Sequence, residues 1–402
     1  MSPEPAVKGA LQGVLVADST QALAGPYLGM LLGDLGADVI KIERPDGGDQ
    51  ARGWGPPFVD GVSTYYLAVN RNKRSLTCNF KSAEGREVLR RVCRRADVVL
   101  TNERRQDVRR LLGIDYESLA SHNPRVVYCS ITGFGMTGPA AGRSGYDVIA
   151  QGMSGMMPLT GEQGDPPMRY PASIADLATA MYGVSCVLAA LLVQERTGRG
   201  QYIDLSLLES QAWWGVTQCV AYLMSGREPG RLGNDHPFIV PYGAFKAKDG
   251  HFIIGCGTEL LWGRLCQLLG LGVARDDPRF RTNRERVLHR EEVRQLLESK
   301  LLERSAAEWC ALMDQNEIPA GPINGVAEML SDEQLRARGF VLELPHPAVG
   351  TLRLLASPLH LSETPATYRL APPRLGEHTE QVLDELGYSA AEIAGLHASG
   401  AV

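Results

Sequence analysis

Between Gly13 and Ile131 the chain alternates short aliphatic runs with longer helical patterns, and this alternation limits the folds open to it. GVLVAD (Gly13–Asp18) reads as a short buried strand, STQALAGP (19–26) as a turn and Tyr27–Leu35 as a helix. DVIKIE (Asp38–Glu43) is a second strand, Ala83–Arg95 is helical, and DVVL (Asp97–Leu100) and VVYCSI (Val126–Ile131) are further strands. Strands separated by helices run in the same direction, which predicts an α/β fold on a parallel sheet. Pro/Gly-rich joints follow at Gly133–Gly145 and Gly161–Pro171. From about Ser225 the character changes. A loop-like stretch leads into YGAFKAKDGHFIIGCG, a hairpin pattern with its turn at Lys248–Asp249–Gly250, and then into helical patterns at Glu259–Leu269, Glu292–Leu302 and Ala306–Gln315. Residues 226–325 read as a smaller α+β domain between a large domain over 1–225 and a C-terminal part, 326–402, where LRLLASPLHLSETP and PRLGEHTEQVLDELG return to strand and then helix.

The chain has 402 residues, 44% hydrophobic and 22% charged, with a formal net charge of −5, as for a soluble protein with a sizeable core. That balance gives no overall reason to expect nucleic acid or an anionic membrane as partner. No charged n-region precedes an apolar h-region at the N-terminus, and the eight cysteines are scattered with no C-x-x-C pair. A reducing compartment fits, cytoplasmic or a mature mitochondrial-matrix form. The eight histidines do not cluster as metal ligands, and no P-loop, GxSxG or HExxH occurs. A strand ending in Glu43 suggests dinucleotide binding, but G-x-G-x-x-G is absent. Gly25, Gly29, Gly33 and Gly36 are spaced for close helix packing instead. An NAD-dependent oxidoreductase is therefore only a weaker alternative.

Two features bear on chemistry. Residues 170–194 (YPASIADLATAMYGVSCVLAALLVQ) contain one charged side chain, Asp176, at the mouth of a long apolar helix expected over Leu177–Arg196. Thr179, Tyr182, Gly183 and Ser185 interrupt it, so it does not read as a membrane span. Asp176 suits an N-cap, a role Ser173 could also fill, and it equally suits a nucleophilic or basic carboxylate aimed into a cleft. In either role a helix N-terminus favours its ionised form. The second feature is an excess of 13 Lys/Arg over 5 Asp/Glu between Arg71 and Arg110, in RNKR, RRVCRR and ERRQDVRR. This is either a solvated helix face or an anion site for a ligand carrying several phosphates.

Several segments in order carry a resemblance over nearly the whole chain. They are AGPYLGMLLGDLGADVIKIERPDGGDQAR (24–52), NRNKRSL (70–76), NPRVVYCSITGFGMTGP (123–139), GYDVIAQGMSG (145–155), RTGRGQYIDLSLLES (196–210) and LGEHTEQVLDELG (375–387). The chain resembles the class III CoA-transferase family, which also contains the α-methylacyl-CoA racemases. The resemblance implies a large Rossmann-like parallel-sheet domain built from both termini, a smaller α+β domain and an interlocked homodimer. It implies that Asp176 attacks an acyl-CoA thioester, giving a mixed anhydride and then an aspartyl-CoA thioester. Such covalent catalysis divides one hard step into easier ones and calls for a Gly-containing loop that excludes water. Coenzyme A and acyl-CoA are then substrates and no cofactor is permanently bound.

Carried over residue by residue, the CoA contacts fall at Leu23, Ala24, Arg44, Phe80, Lys81, Asn102, Arg110 and Tyr146. NERRQDVRRLLG (102–113) departs from the family's usual Asn-Phe/Tyr-x-Pro-Gly, so either Arg109 or Arg110 answers the phosphate. Racemases carry His-Asp where this chain has Tyr146–Asp147, and that His is their second acid/base, so a transferase is favoured over the racemase alternative. The Gly-rich run of formyl-CoA transferases is replaced by GNDHPFIVP (233–241). Residues 54–73 and 236–257 look most like the branch acting on succinate, glutarate, malate or citramalate. Arg169 or Arg52 would then pair with a distal carboxylate.

Overall fold

The computed structural model describes residues 9–402, which divide into two compact units. One comprises the described residues up to Met156 with Arg169–Cys219 and Arg336–Val402; the other comprises Met157–Met168 with Val220–Leu335. The sequence pattern places the changes of character at 225/226 and 325/326.

The first unit is built on a six-stranded parallel sheet. Its strands are β1 (Leu15–Asp18), β2 (Asp38–Glu43), β3 (Lys73–Thr77), β4 (Val98–Thr101), β5 (Val127–Thr132) and β6 (Tyr202–Ser206), in the order β3-β2-β1-β4-β5-β6. Alternate residues serve opposite faces. Val16, Val39, Val98 and Cys129 bury into one core layer with α1 (Ala24–Asp34), while Ala17, Ile40, Val99 and Tyr128 bury into the other with α2 (Ala83–Arg95). Burial on both faces explains why the strands read as continuous aliphatic runs. Helix α1 lies very close to its surroundings. A Cβ at Gly25 would meet the Thr20 side chain at 2.3 Å, and one at Gly33 would meet Asn72 Cβ at 2.8 Å. The packing role expected of these glycines holds.

Two further helices matter for the site: α3 (Asp147–Met153) and α4 (Ile174–Thr197). Helix α4 is long and apolar enough, by length and composition, to cross a membrane. Here Ala175, Ala180, Val184, Val187 and Ala190 bury into the α1 layer, while Met181, Leu188, Leu192 and Val193 stay exposed.

The C-terminal segment closes the other face of the sheet. Val382 and Leu383 of α5 (Thr379–Glu385) join the α2 layer, and the His378 N–H donates to Ser75 O at 3.0 Å. The strand expected in this region forms, but in a separate antiparallel hairpin, Val341–His346 with Gly350–Leu355, rather than in the parallel sheet. The second unit carries the expected hairpin, Tyr242–Lys246 with His251–Gly255, extended by Ala320–Pro322. Phe252, Ile254, Trp262, Leu297 and Met313 fill its own core.

Candidate active site

The strand order reverses between β1 and β4, and in such sheets ligands bind outside the carboxyl ends of the strands at that point. A cavity of about 940 Å³ lies there. Its walls come from the loop after β1 (Gln21, Ala22, Ala24), the residues after β2, β3 and β4 (Arg44; Phe80 and Lys81; Asn102 and Arg104), the loop after β5 (Arg143, Tyr146) and the start of α4 (Ser173, Asp176).

Asp176 lies in the first turn of α4 but is not its cap. The N-cap is Ser173, whose side chain makes no capping bond. The cap is supplied from α3: Asp147 Oδ1 accepts from the Ala175 N–H at 2.8 Å. Asp147 Oδ2 accepts from Gln151 Nε2 at 2.6 Å, and Gln151 Oε1 accepts from the Tyr170 N–H at 2.8 Å, so α3 braces the chain leading into α4. The N-cap reading of Asp176 is thus corrected. Asp147 does that work, and Asp176 faces the cavity.

The expectation of a carboxylate held ionised by the helix is corrected too. Burial, the negative charge of Asp147 and only one opposing hydrogen bond, from the Ala24 N–H, push the Asp176 carboxyl up to about 7. Desolvation outweighs the favourable field of the first turn. The phenol of Tyr65, which hydrogen-bonds with Ser173, is pushed up to about 12 by burial and by the charge of Asp176. It therefore stays protonated. Tyr65 packs edge-on against Trp54 with ring centroids 4.9 Å apart, and both line the cavity.

The basic segment divides into structural and cavity-facing groups. Arg71 pairs with Asp34 at 2.6 Å, Lys73 with Asp18 at 2.9 Å, and Arg74 with Asp38 and Glu385 at 2.5 and 2.8 Å. These cations are occupied inside the fold. Of the expected CoA contacts, Ala24, Arg44, Phe80, Lys81, Asn102 and Tyr146 line the cavity. Leu23 and Arg110 do not. Leu23 is buried at the start of α1, and Arg110 points to solvent. Arg109 is buried, donating to Ser130 Oγ at 2.8 Å and to Glu103 O, which removes it as a phosphate contact. The cavity cations missed in the sequence are Arg104 and Arg143. Arg104 donates to Gly142 O, and Arg143 lies over the Phe134 ring, 5.0 Å from its centroid. No spacing rule marks either one.

Asn102 is committed largely to the protein, since Nδ2 donates to Gln21 O at 2.9 Å and Oδ1 accepts from the Gln21 N–H at 3.3 Å. Arg52 donates to Glu43, to Tyr66 Oη at 2.6 Å and to Pro373 O, and it lies outside the cavity lining. Only Arg169 of the two candidate distal arginines lines the cavity, and among the described residues its guanidinium donates to the adjacent Tyr170 and Pro171 carbonyls alone. Glu43 accepts from Arg52, Ser75 and the Asp49 N–H, so both oxygens are engaged where a nicotinamide enzyme would offer one to a ribose. Among the described residues no group of three or more His, Cys, Asp or Glu is placed to hold a metal ion.

A parallel α/β sheet with a cation-walled crevice at its switch point, and a carboxylate at the mouth of a helix, is a site suited to a phosphate-bearing ligand. Residues 11–379 match the model of CoA-transferase family III, and the chain belongs to that family. It is similar to the succinate–glutarate CoA-transferase of Agrobacterium fabrum, 44% identical over 96% of this chain and 98% of the relative. It is also similar to the mouse succinyl-CoA:glutarate CoA-transferase, 40% identical over 98% of this chain and 90% of the relative. Among solved structures, a CaiB/BaiF family protein from Brucella suis is 42% identical and superposes with a TM-score of 0.83, over 94% of this chain and 100% of that one.

Proposed function

We propose that the protein moves CoA from succinyl-CoA or a similar acyl-CoA to a dicarboxylic acid, with Asp176 as the nucleophile. The carrying observation is a partly buried carboxylate that no cation among the described residues pairs, in a cavity whose walls bring Arg44, Lys81, Arg104 and Arg143 from four separate strand ends. Such cations suit the phosphates of CoA. Relatives named for succinate and glutarate support the choice of acids.

The ionised Asp176 oxygen adds to the thioester carbonyl, and the C–S bond breaks to give a mixed anhydride and CoA thiolate. The thiolate adds to the aspartyl carbonyl and expels the donor acid as its carboxylate, leaving an aspartyl-CoA thioester. An acceptor carboxylate attacks that thioester, and the released thiolate then takes the acceptor acyl group, restoring the Asp176 carboxylate. No proton is consumed, and each intermediate keeps the energy of an activated acyl group. Burial leaves the carboxylate poorly solvated and so more nucleophilic, at the cost of leaving it about half protonated near pH 7. The loop from Gly133 to Gly145, whose ends touch, is placed to keep water from the anhydride; a Cβ on Gly133 would meet Gly145 Cα at 2.8 Å. A racemase would need a second acid/base on the opposite face, and that position holds the exposed Tyr146.

The outward face of α4 supports a homodimer. Met181, Leu188, Leu192 and Val193 are each 37–46% exposed on a helix whose opposite face is packed in the core, and an apolar face of this kind is ordinarily covered. Sedimentation equilibrium tests this, and a monomer at micromolar concentration rejects it. For the activity, succinyl-CoA is incubated with a panel of acids. Transfer to dicarboxylates that is lost in Asp176→Asn is the expected result, and transfer to monocarboxylates alone overturns the substrate assignment.

A further inference from the structure

The loop that leads from β1 into α1 is held by charged groups for which the proposed reaction has no use. Lys41 and Asp49 form an ion pair at 2.8 Å with neither side chain exposed. A buried pair is costly unless its remaining hydrogen-bonding capacity is filled, and here the loop fills it. Lys41 Nζ donates to Thr20 O at 3.1 Å. Asp49 Oδ1 accepts from the Ala22 N–H at 3.0 Å and the Ala51 N–H at 2.9 Å. Beside them, Asp18 accepts from the Thr20 N–H at 3.0 Å and from Lys73 Nζ at 2.9 Å, and Lys73 reaches Pro26 O in the first turn of α1 at 2.8 Å.

Ala22 adopts φ 72°, a conformation costly for a residue with a Cβ that persists only where the surroundings impose it. The Asp49 contact is such an imposition. The next residue, Leu23, is the N-cap of α1 and offers no side-chain cap, leaving the helix's first N–H groups open. One of them, that of Ala24, lies in the same cavity wall as Asp176 and favours its ionised form.

We propose that Lys41 and Asp49 are positioning residues for CoA transfer, fixing Thr20–Ala22 so that the uncapped start of α1 presents the Ala24 N–H to Asp176. This rests on the nucleophilic reading of Asp176. The N–H favours the ionised carboxylate against burial and Asp147. It serves again when CoA thiolate adds to the aspartyl carbonyl. The new C–S bond pushes the carbonyl π pair onto the Asp176 oxygen before the acyl carboxylate leaves, and a donor already aimed there needs no rearrangement. Of the other polar side chains facing this part of the cavity, Ser173 and Arg169 come from different segments, and Tyr65 feels the loop's anchors only through the charge of Asp49.

Removing one partner alone would leave a buried charge unpaired, so the test uses Lys41→Met/Asp49→Asn together. A second variant, Ala24→Pro, deletes the N–H itself at the first helical position, which tolerates proline, and keeps the ion pair. The Asp176 carboxyl is titrated in substrate-free protein by isotope-edited infrared difference spectroscopy, with Asp176→Asn identifying its band. Both variants are expected to raise its midpoint by about one pH unit. The double variant should also lower kcat at least ~10-fold while KM for acyl-CoA stays within about two-fold. An unmoved midpoint in the folded double variant overturns the positioning role; if that variant does not fold, an unmoved midpoint in Ala24→Pro does the same. A shifted midpoint in an enzyme whose wild type transfers no CoA leaves the positioning intact and rejects the proposed function instead.

Discussion

Replacing Asp176 by Asn should abolish transfer and at the same time stabilise the fold in a pH-dependent way. The folded protein raises this carboxyl from 3.8 to about 7, so over that interval it holds a proton that the unfolded chain has released. The contribution is fully favourable below about pH 3.8, declines as pH rises to about 7 and is level above it. A shift of that size corresponds to roughly 4 kcal/mol, at about 1.36 kcal/mol per pH unit. Asp176 is only partly buried and faces a wet cavity, so screening reduces the loss to about 2 kcal/mol. The neutral amide escapes it. An unfolding entropy of about 2.1 cal/mol/K per residue over 402 residues gives ~0.8 kcal/mol/K. About 1.2 kcal/mol of the gap lies between pH 5 and pH 8, so the difference in Tm between variant and wild type should widen by about 1.5 °C across that range. Differential scanning calorimetry at the two pH values reads it. Parallel Tm profiles for the two proteins would refute the desolvated, uncompensated carboxylate on which the reasoning depends.

Asp147→Asn keeps an oxygen to cap Ala175 but removes the charge beside Asp176. The acid limb of kcat/KM should therefore move to lower pH, measured from pH 5 to 9, while Tm falls because the new amide NH2 faces the Gln151 Nε2 donor. Arg104→Ala and Arg143→Ala should each weaken CoA binding at least ~5-fold by calorimetric titration, an effect that shrinks with added salt, while Arg110→Ala should leave it unchanged. Arg109→Ala should act on stability rather than binding, costing about 2–4 kcal/mol in denaturant unfolding, because it strips a buried guanidinium from Ser130 and Glu103. Arg169→Gln should raise KM for a dicarboxylic acceptor at least ~10-fold over its effect on a monocarboxylic one, and equal effects on both would remove Arg169 from recognition of the distal carboxylate.

What could be read in the sequence follows the range over which each feature is determined. Strands such as Val98–Thr101 announce themselves locally because burial on both faces keeps the run aliphatic, and helices such as Ala83–Arg95 because Val88, Leu89, Val92 and Cys93 recur on one buried face. Asp176 was visible for the converse reason, as the one charge in a long apolar stretch. Pairings between distant residues were not visible. The RNKR cluster reads as surface charge until Asp18 and Asp34, 55 residues from Lys73 and 37 from Arg71 respectively, are folded against it. The cap of α4 comes from Asp147, 28 residues before Ala175, so local pattern assigned it to the nearest acid. Arg104 and Arg143 meet only because the ends of β4 and β5 adjoin in the sheet. The partner strand Val341–His346 was missed because its inward residues cover only a small apolar cluster around Leu67, Leu352 and Leu354.

The central claim is that CoA becomes covalently attached to Asp176 during turnover. Protein is mixed with succinyl-CoA, quenched in acid within the first turnovers, digested and examined by tandem mass spectrometry. The account predicts a CoA thioester on the peptide carrying Asp176, lost on adding an acceptor dicarboxylate and absent from Asp176→Asn. An adduct on another residue, or sustained transfer by Asp176→Asn with no adduct at all, would contradict it.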